Sequence, residues 1–175
     1  MKQLIVLITI FSFFFNGCED NDPGDSDRNN IILITTHDID AAGAPGFYFD
    51  FISGEETDST GSWHISFQML SVVGTTYKMP NLVLGDVSIS EYTNLSYDDI
   101  TSTPETFQND NIQDISALQY AGANEVLAYD MQIHKVSVSN AERVFIIHEP
   151  INDTTYKIQF IEYISGITTF KYDAL

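Results

Sequence analysis

From residue 31 onward, apolar and polar positions alternate in short runs separated by turn residues. The run IILITT (31–36) is β-branched and bounded by polar residues, which is the composition of a strand. FYFDFIS (47–53) follows Gly43, Pro45 and Gly46. The two-residue period puts Phe47, Phe49 and Phe51 on one face and Tyr48, Asp50 and Ile52 on the other. SWHISFQML (62–70) repeats the pattern, with Trp63, Ile65, Phe67 and Met69 expected inward and His64, Ser66 and Gln68 outward. The polar stretch GEETDSTG (54–61) is expected to join these two strands as a hairpin. RVFIIHE (143–149), TYKIQFIEYI (155–164) and ITTFKYD (167–173) read as an antiparallel meander linked by PINDT and by Ser165-Gly166. The two-residue link suits a tight turn with positive φ at Gly166.

The middle is less regular. NLVLGDVSIS (81–90) and VLAYDMQIHKVSV (126–138) have strand composition. Residues 97–122 are polar and lack a clean period, which fits a loop with one short helix near Asp114 to Gln119. The expected fold class is all-β, mostly antiparallel, with long loops.

The first residues follow a different rule. Lys2 precedes an apolar run from Leu4 to Phe15, broken only by Thr9 and Ser12, and too short to span a bilayer comfortably. Gly17 then precedes Cys18, the single cysteine of the chain. Phe15-Asn16-Gly17-Cys18 resembles a loose bacterial lipobox, with Phe15 for the usual Leu and Asn16 for the usual small residue. Cys18 would then be the lipid attachment site, and lipidation accounts for an unpaired cysteine in an exported chain. EDNDPGDSDRNN, which follows, has the composition of a disordered tether. It lacks the alternating ligands and closing glutamate of an EF-hand loop. An acidic patch directly after a lipidated cysteine resembles the surface-export signal of Bacteroidetes lipoproteins. The organisation read from the sequence is a signal peptide over 1–17, a tether over 18–30 and one β-rich domain over 31–175. It implies an outer-membrane, lipid-anchored, surface-exposed protein.

Charge narrows the partners. Lys and Arg number 7 against 25 Asp and Glu, a net charge of −18. That argues against nucleic acid and against a polybasic grip on anionic lipid. Without a second cysteine the mature domain depends on burial, and 12 Phe and 9 Tyr are enough for a core. No nucleophile elbow, His-Glu-x-x-His motif, phosphate loop or cysteine nucleophile is present, so the reading is not an enzyme. The Asp-Ser/Thr-x stretches at 58–60 and 153–155 resemble O-glycan acceptors of the same phylum.

The strand pair GFYFDFISGEE…SWHISFQ and the ending RVFIIHEPINDTTYKIQFIEYISGITTFKYDAL resemble the HmuY-like haem-binding lipoproteins of Bacteroidetes. The matching positions are Trp63, Ile65 and Phe67, then Val144 and Phe145, Tyr156 and Lys157, and Gly166, Phe170 and Tyr172. His64 stands where that family usually has Asp, and INDTT where it often has a glycine turn. The resemblance covers both ends of the domain and not its middle. It implies a β-rich haemophore that takes haem from host haemoproteins and hands it to a TonB-dependent outer-membrane receptor. Family members use His pairs or Met as ligands.

Haem iron in a binding protein takes His nitrogen or Met sulfur as axial ligand. Met79 lies in YKMPN, expected to be a loop, with Lys78 placed to meet a propionate and Tyr77 to stack on the porphyrin. Met131 and His134 are three apart, so on a strand they face opposite ways unless a turn intervenes. These three are the axial-ligand candidates, His134 ahead of Met131. His64 and Met69 read as structural, His148 as a solvent-exposed strand end, and His37 pairs on paper with Asp38 or Asp40 as a metal site. The net charge opposes propionates unless Lys78, Lys135 or Arg143 gathers at the pocket mouth. The alternative is a non-haem surface module that binds glycan or protein through Trp63 and the tyrosines.

Overall fold

The computed structural model describes residues 31–92, 95–105 and 126–175. The expected signal peptide (1–17), Cys18, the expected tether and the segment expected to hold a short helix lie outside the described residues. Among those residues the protein is all-β, and every strand pairing is antiparallel. The strands are β1 (Ile32–Thr35), β2 (Phe47–Asp50), β3 (Glu55–Thr57), β4 (Ile65–Ser71), β5 (Lys78–Leu84) and β6 (Ser88–Tyr92). They continue with β7 (Leu127–Asp130), β8 (Lys135–Val138), β9 (Val144–Glu149), β10 (Thr154–Ile164) and β11 (Ile167–Ala174).

Two sheets form a sandwich. One has the order β1-β11-β10-β9-β6 and the other β3-β2-β4-β5, while β7 and β8 form a separate two-stranded ribbon. The inward faces are aromatic. The Phe49 ring lies 5.5 Å from the rings of both Phe170 and Tyr172, and Phe67 lies 5.9 Å from Phe160. Phe47, Phe49 and Phe51 are all buried, as their period predicts. Each buried phenylalanine contributes about 1.5–3 kcal/mol through lost apolar exposure. At the β10–β11 turn, Ser165 (φ 46) and Gly166 (φ 87) both take left-handed backbone, the geometry of a type I′ hairpin.

Three expectations are corrected. GEETDSTG is not a simple turn: Glu55–Thr57 forms β3 and pairs with β2 on the side away from β4. The inward alternation before β4 is also reversed. Trp63 is half-buried against Tyr48, at 5.4 Å between rings, while His64 is buried and lies 5.9 Å from Phe51. The reason is that the strand begins only at Ile65. His64 instead bonds back to the carbonyl of Phe49 at 2.9 Å and presents Nδ1 to the N–H of Phe51 at 3.0 Å. Finally, Met79 is not in a loop. It belongs to β5, opposite Leu70.

The outer face of the larger sheet carries a second, smaller core. Tyr97 and Ile100 pack there against Val144 and Ile146. Lys157 is buried beneath them and donates to the carbonyls of Tyr97 and Ile100, each at 3.1 Å. Of the two glycan-like stretches, residues 58–60 are exposed, whereas the Thr154 hydroxyl is enclosed at the start of β10.

Candidate functional site

The site lies where the β4–β5 hairpin, the β7–β8 ribbon and the β10–β11 turn approach one another. Its starting point is the ribbon. Asp130 ends β7, and its Oδ1 accepts the N–H groups of Gln132 (2.7 Å) and Ile133 (3.3 Å). This is the local turn that an aspartate favours. The turn spans residues 131–134 and closes with His134 at φ 52, a left-handed conformation uncommon for a non-glycine residue. The backbone then returns as β8, with Asp130 opposite Lys135. The ribbon is rooted by Leu127, which is fully buried, and by Val136 and Val138, which pack on the main core.

A cleft with two lobes opens between the ribbon and β5. One lobe, of about 420 Å³, is lined by Val72, Thr75, Tyr77, Lys78, Met79, Tyr129, Met131 and His134. The other, of about 340 Å³, adds Asp40, Met69, Lys135 and Tyr163. Four residues, Lys78, Met79, Tyr129 and His134, line both. Volumes of this size are those of small-molecule and cofactor sites. Pro80 follows Met79 in β5 and also borders the cleft. A proline is accommodated in a strand where its missing N–H faces away from the paired neighbour. Among the described residues β5 is the last strand of its sheet, and its outer edge faces the ribbon without continuing the ladder.

All five sequence candidates thus meet at one place. The intervening turn settles the three-residue spacing: Met131 and His134 both line the larger lobe. The rim of the larger lobe is mostly apolar and open to solvent. Tyr77 is 72% exposed and Met131 68%, with Ile133 beside it at 67%. Exposed apolar side chains gathered around a concavity are a mark of ligand or partner sites.

The charges are arranged unevenly. Among the described residues, two of the five Lys and Arg side chains, Lys78 and Lys135, line the cleft. Arg143 does not: it is buried with its guanidinium 5.6 Å from the Phe145 ring. Asp40 contributes a negative charge to the smaller lobe. Tyr163, in the same lobe, stays a phenol, because burial and the Asp40 carboxylate push its pKa up to about 12.

Tyr129 is a residue of the cleft lining that sequence reasoning did not single out. Its hydroxyl lies 2.6 Å from Nδ1 of His134, five residues ahead across the turn. The signal available was Asp130, a turn former placed between a tyrosine and the Met-x-x-His run.

The remaining histidines stand elsewhere. His37 is engaged by the Pro45 carbonyl (3.2 Å) and by Glu56 (3.1 Å), while Asp38 turns its carboxylate onto the N–H groups of Asp40 and Ala41. The His37–Asp38/Asp40 metal pair therefore does not form. His148 is half-buried and pairs with Asp153 at 2.9 Å. His64 is held neutral by burial, against the pull of Asp50 and Glu149. Among the described residues no cluster of three or more His, Cys, Asp or Glu is disposed to hold a bare metal ion.

No protein-family model matches the chain, and no curated protein matches it significantly.

Proposed function

We propose that this protein is a surface lipoprotein that binds haem in the cleft between β5 and the β7–β8 ribbon and passes it to an outer-membrane receptor. The single observation that carries the reading is the convergence of Met79, Met131 and His134 on one concavity with an apolar, aromatic rim. The residues present suit the group. Two methionine sulfurs and one imidazole are the donors that haem iron accepts. Tyr77 and Val72 supply apolar surface for a porphyrin face. Lys78 and Lys135 bring positive charge to a chain of net −18, where it would meet the propionates. The resemblance of the strand motifs to HmuY-like proteins, the lipobox-like segment around Cys18 and the acidic tether after it support the location and the haemophore role.

The chain's own contribution is binding and orientation. When bound, haem would supply an iron that takes thioether or imidazole donors, and the two hairpins would offer it Met79, Met131 and His134. Asp40 disfavours carboxylates at its end of the smaller lobe, so the propionates are expected towards Lys78.

The alternative, a glycan- or protein-binding accessory lipoprotein, calls for exposed aromatic platforms. Tyr77 meets that description, but Trp63 is turned against Tyr48. An absorbance titration of the soluble domain with hemin tests the choice. A saturable, stoichiometric Soret shift that changes in Met79→Ala and His134→Ala supports the haem reading. A flat difference spectrum sinks it.

A further inference from the structure

We infer that Tyr129 is a positioning residue of this cleft: its hydroxyl oxygen accepts the Nδ1–H of His134 and so presents Nε2 as the free electron-pair donor to a bound metal centre. The inference rests on the haem reading for the identity of the ligand, but its geometric part stands on the apo protein alone.

Two independent features lead to it. The first is the contact itself, 2.6 Å between the Tyr129 oxygen and Nδ1 of His134, with the rings 6.1 Å apart and inclined at 45°. A neutral imidazole has one N–H and one lone pair, and the partner of one nitrogen decides what the other can do. The second feature is the backbone. His134 sits at φ 52 at the end of a turn built by Asp130. That conformation sends the chain back along β7, with Asp130 opposite Lys135 and Tyr129 opposite Val136, and the Tyr129 hydroxyl reaches the His134 ring diagonally across the end of the ribbon. An extended backbone at residue 134 would separate them. Strain at one non-glycine residue thus coincides with the one contact that fixes its ring.

The consequence is chemical selectivity. In water a neutral imidazole carries its proton mainly on Nε2. A hydroxyl that accepts from Nδ1 reverses that preference and leaves Nε2 unprotonated before any ligand arrives. Histidine ligands of metals are commonly held this way by an oxygen acceptor on the far nitrogen. Among the described residues no hydrogen-bond partner competes for Nε2. Tyr129 lines both lobes with Met79, so the oriented imidazole and a thioether share one concavity. The ligand class selected is a metalloporphyrin rather than a metal-free one, since a lone pair on Nε2 needs an acceptor.

Nitrogen-15 NMR of the histidine rings in the apo domain at about pH 8, followed by titration with hemin and with metal-free protoporphyrin, tests this. The expected result is the Nδ1–H tautomer for His134 in the native chain. In Tyr129→Phe the ring reverts towards Nε2–H, hemin affinity falls about tenfold, and the weaker affinity for metal-free protoporphyrin is unchanged. An Nε2–H tautomer in the native chain overturns the inference, because the tyrosine would then be donating. Unchanged hemin affinity in Tyr129→Phe also overturns it. Loss of the native ferric spectrum in Tyr129→Phe, with His134→Ala retaining it, would make the tyrosine oxygen the ligand and overturn the positioning role. A native chain with the Nδ1–H tautomer that takes no hemin supports the geometry and overturns the haem reading alone.

Discussion

The ammonium of Lys157 lies 4.5 Å from the centre of the Tyr97 ring and 3.1 Å from the carbonyl oxygen of the same residue. One buried cation thus grips a loop residue by its backbone and its face at once, and it holds Ile100 as well. Lys171 approaches the same ring at 4.1 Å. Removing the ammonium leaves two buried carbonyls without a donor, and each orphaned group costs about 1–3 kcal/mol. Lys157→Met is expected to lose at least that much in urea denaturation and to expose residues 95–105 to proteolysis. An unchanged midpoint would show that those carbonyls find other donors.

Gly166 admits no side chain. At φ 87 an L residue is strained, and a Cβ would run into the carboxylate of Asp38 and the backbone N of Asp40. Gly166→Ala is expected to cost about 2–3 kcal/mol, from left-handed strain plus the clash. Combining it with Asp38→Ala should recover only part of the loss, because the Asp40 backbone stays in place. Full recovery in thermal melts of the double variant would contradict this packing.

Stability should fall on mild acidification through His64. Burial lowers its pKa, while Asp50 and Glu149 oppose the shift. The folded chain therefore binds the proton less readily than the unfolded chain, whose histidine titrates near 6.5. The contribution is complete above about pH 6.5 and is lost as the pH drops through the folded pKa. Protonation would also convert Nδ1 from the acceptor of the Phe51 N–H into a donor. Urea midpoints measured from about pH 7 to pH 5 should decline in the native chain and stay level in His64→Gln.

A second acid window belongs to Glu149. Its carboxylate accepts two backbone N–H groups, from Ile151 and Asn152, and the Asn152 amide at 2.9 Å. Burial raises its pKa, but the Asn152 and Ile151 bonds and nearby His64 outweigh that and hold it below the usual value. Its stabilisation is present above about pH 4.3, the unfolded value, and disappears as the pH falls through the folded one. Glu149→Gln should remove this lower window from the pH profile and leave the one above pH 5 in place.

Met79 and Met69 should behave differently. Met69, on β4, packs against the main core and borders only the smaller lobe, whereas Met79, on β5, lines both lobes. Met79→Leu is expected to change stability by less than about 1 kcal/mol while altering the hemin spectrum. Met69→Ala should cost more, about 2 kcal/mol or above. Equal stability losses with no spectral difference would place Met79 in the core.

The legible parts of the fold were those set by local pattern. Phe47, Phe49 and Phe51 bury as their period requires, and Ser165-Gly166 turns as its composition requires. The alternation failed at Trp63 and His64, because no strand forms there until Ile65, and a buried imidazole was satisfied by a backbone N–H thirteen residues earlier. Lys157 at the centre of a strand had no local explanation: its partners are loop carbonyls nearly sixty residues away. At the site, the residue types were readable, but their meeting was not. The cleft depends on a turn at 131–134 and on a β5 edge left free of the ribbon, and neither is a matter of residue composition.

That free edge has a consequence for variation. Among the described residues the ribbon tip shares no ladder with the sandwich, and its root is embedded through Leu127, Val136 and Val138. Insertions or exchanges between Met131 and His134 therefore reshape the cleft without reaching the phenylalanine core. In a lineage under pressure to change its cargo, this tip is expected to diverge fast while the β9–β11 meander stands still, so that chains with the same skeleton come to hold different molecules.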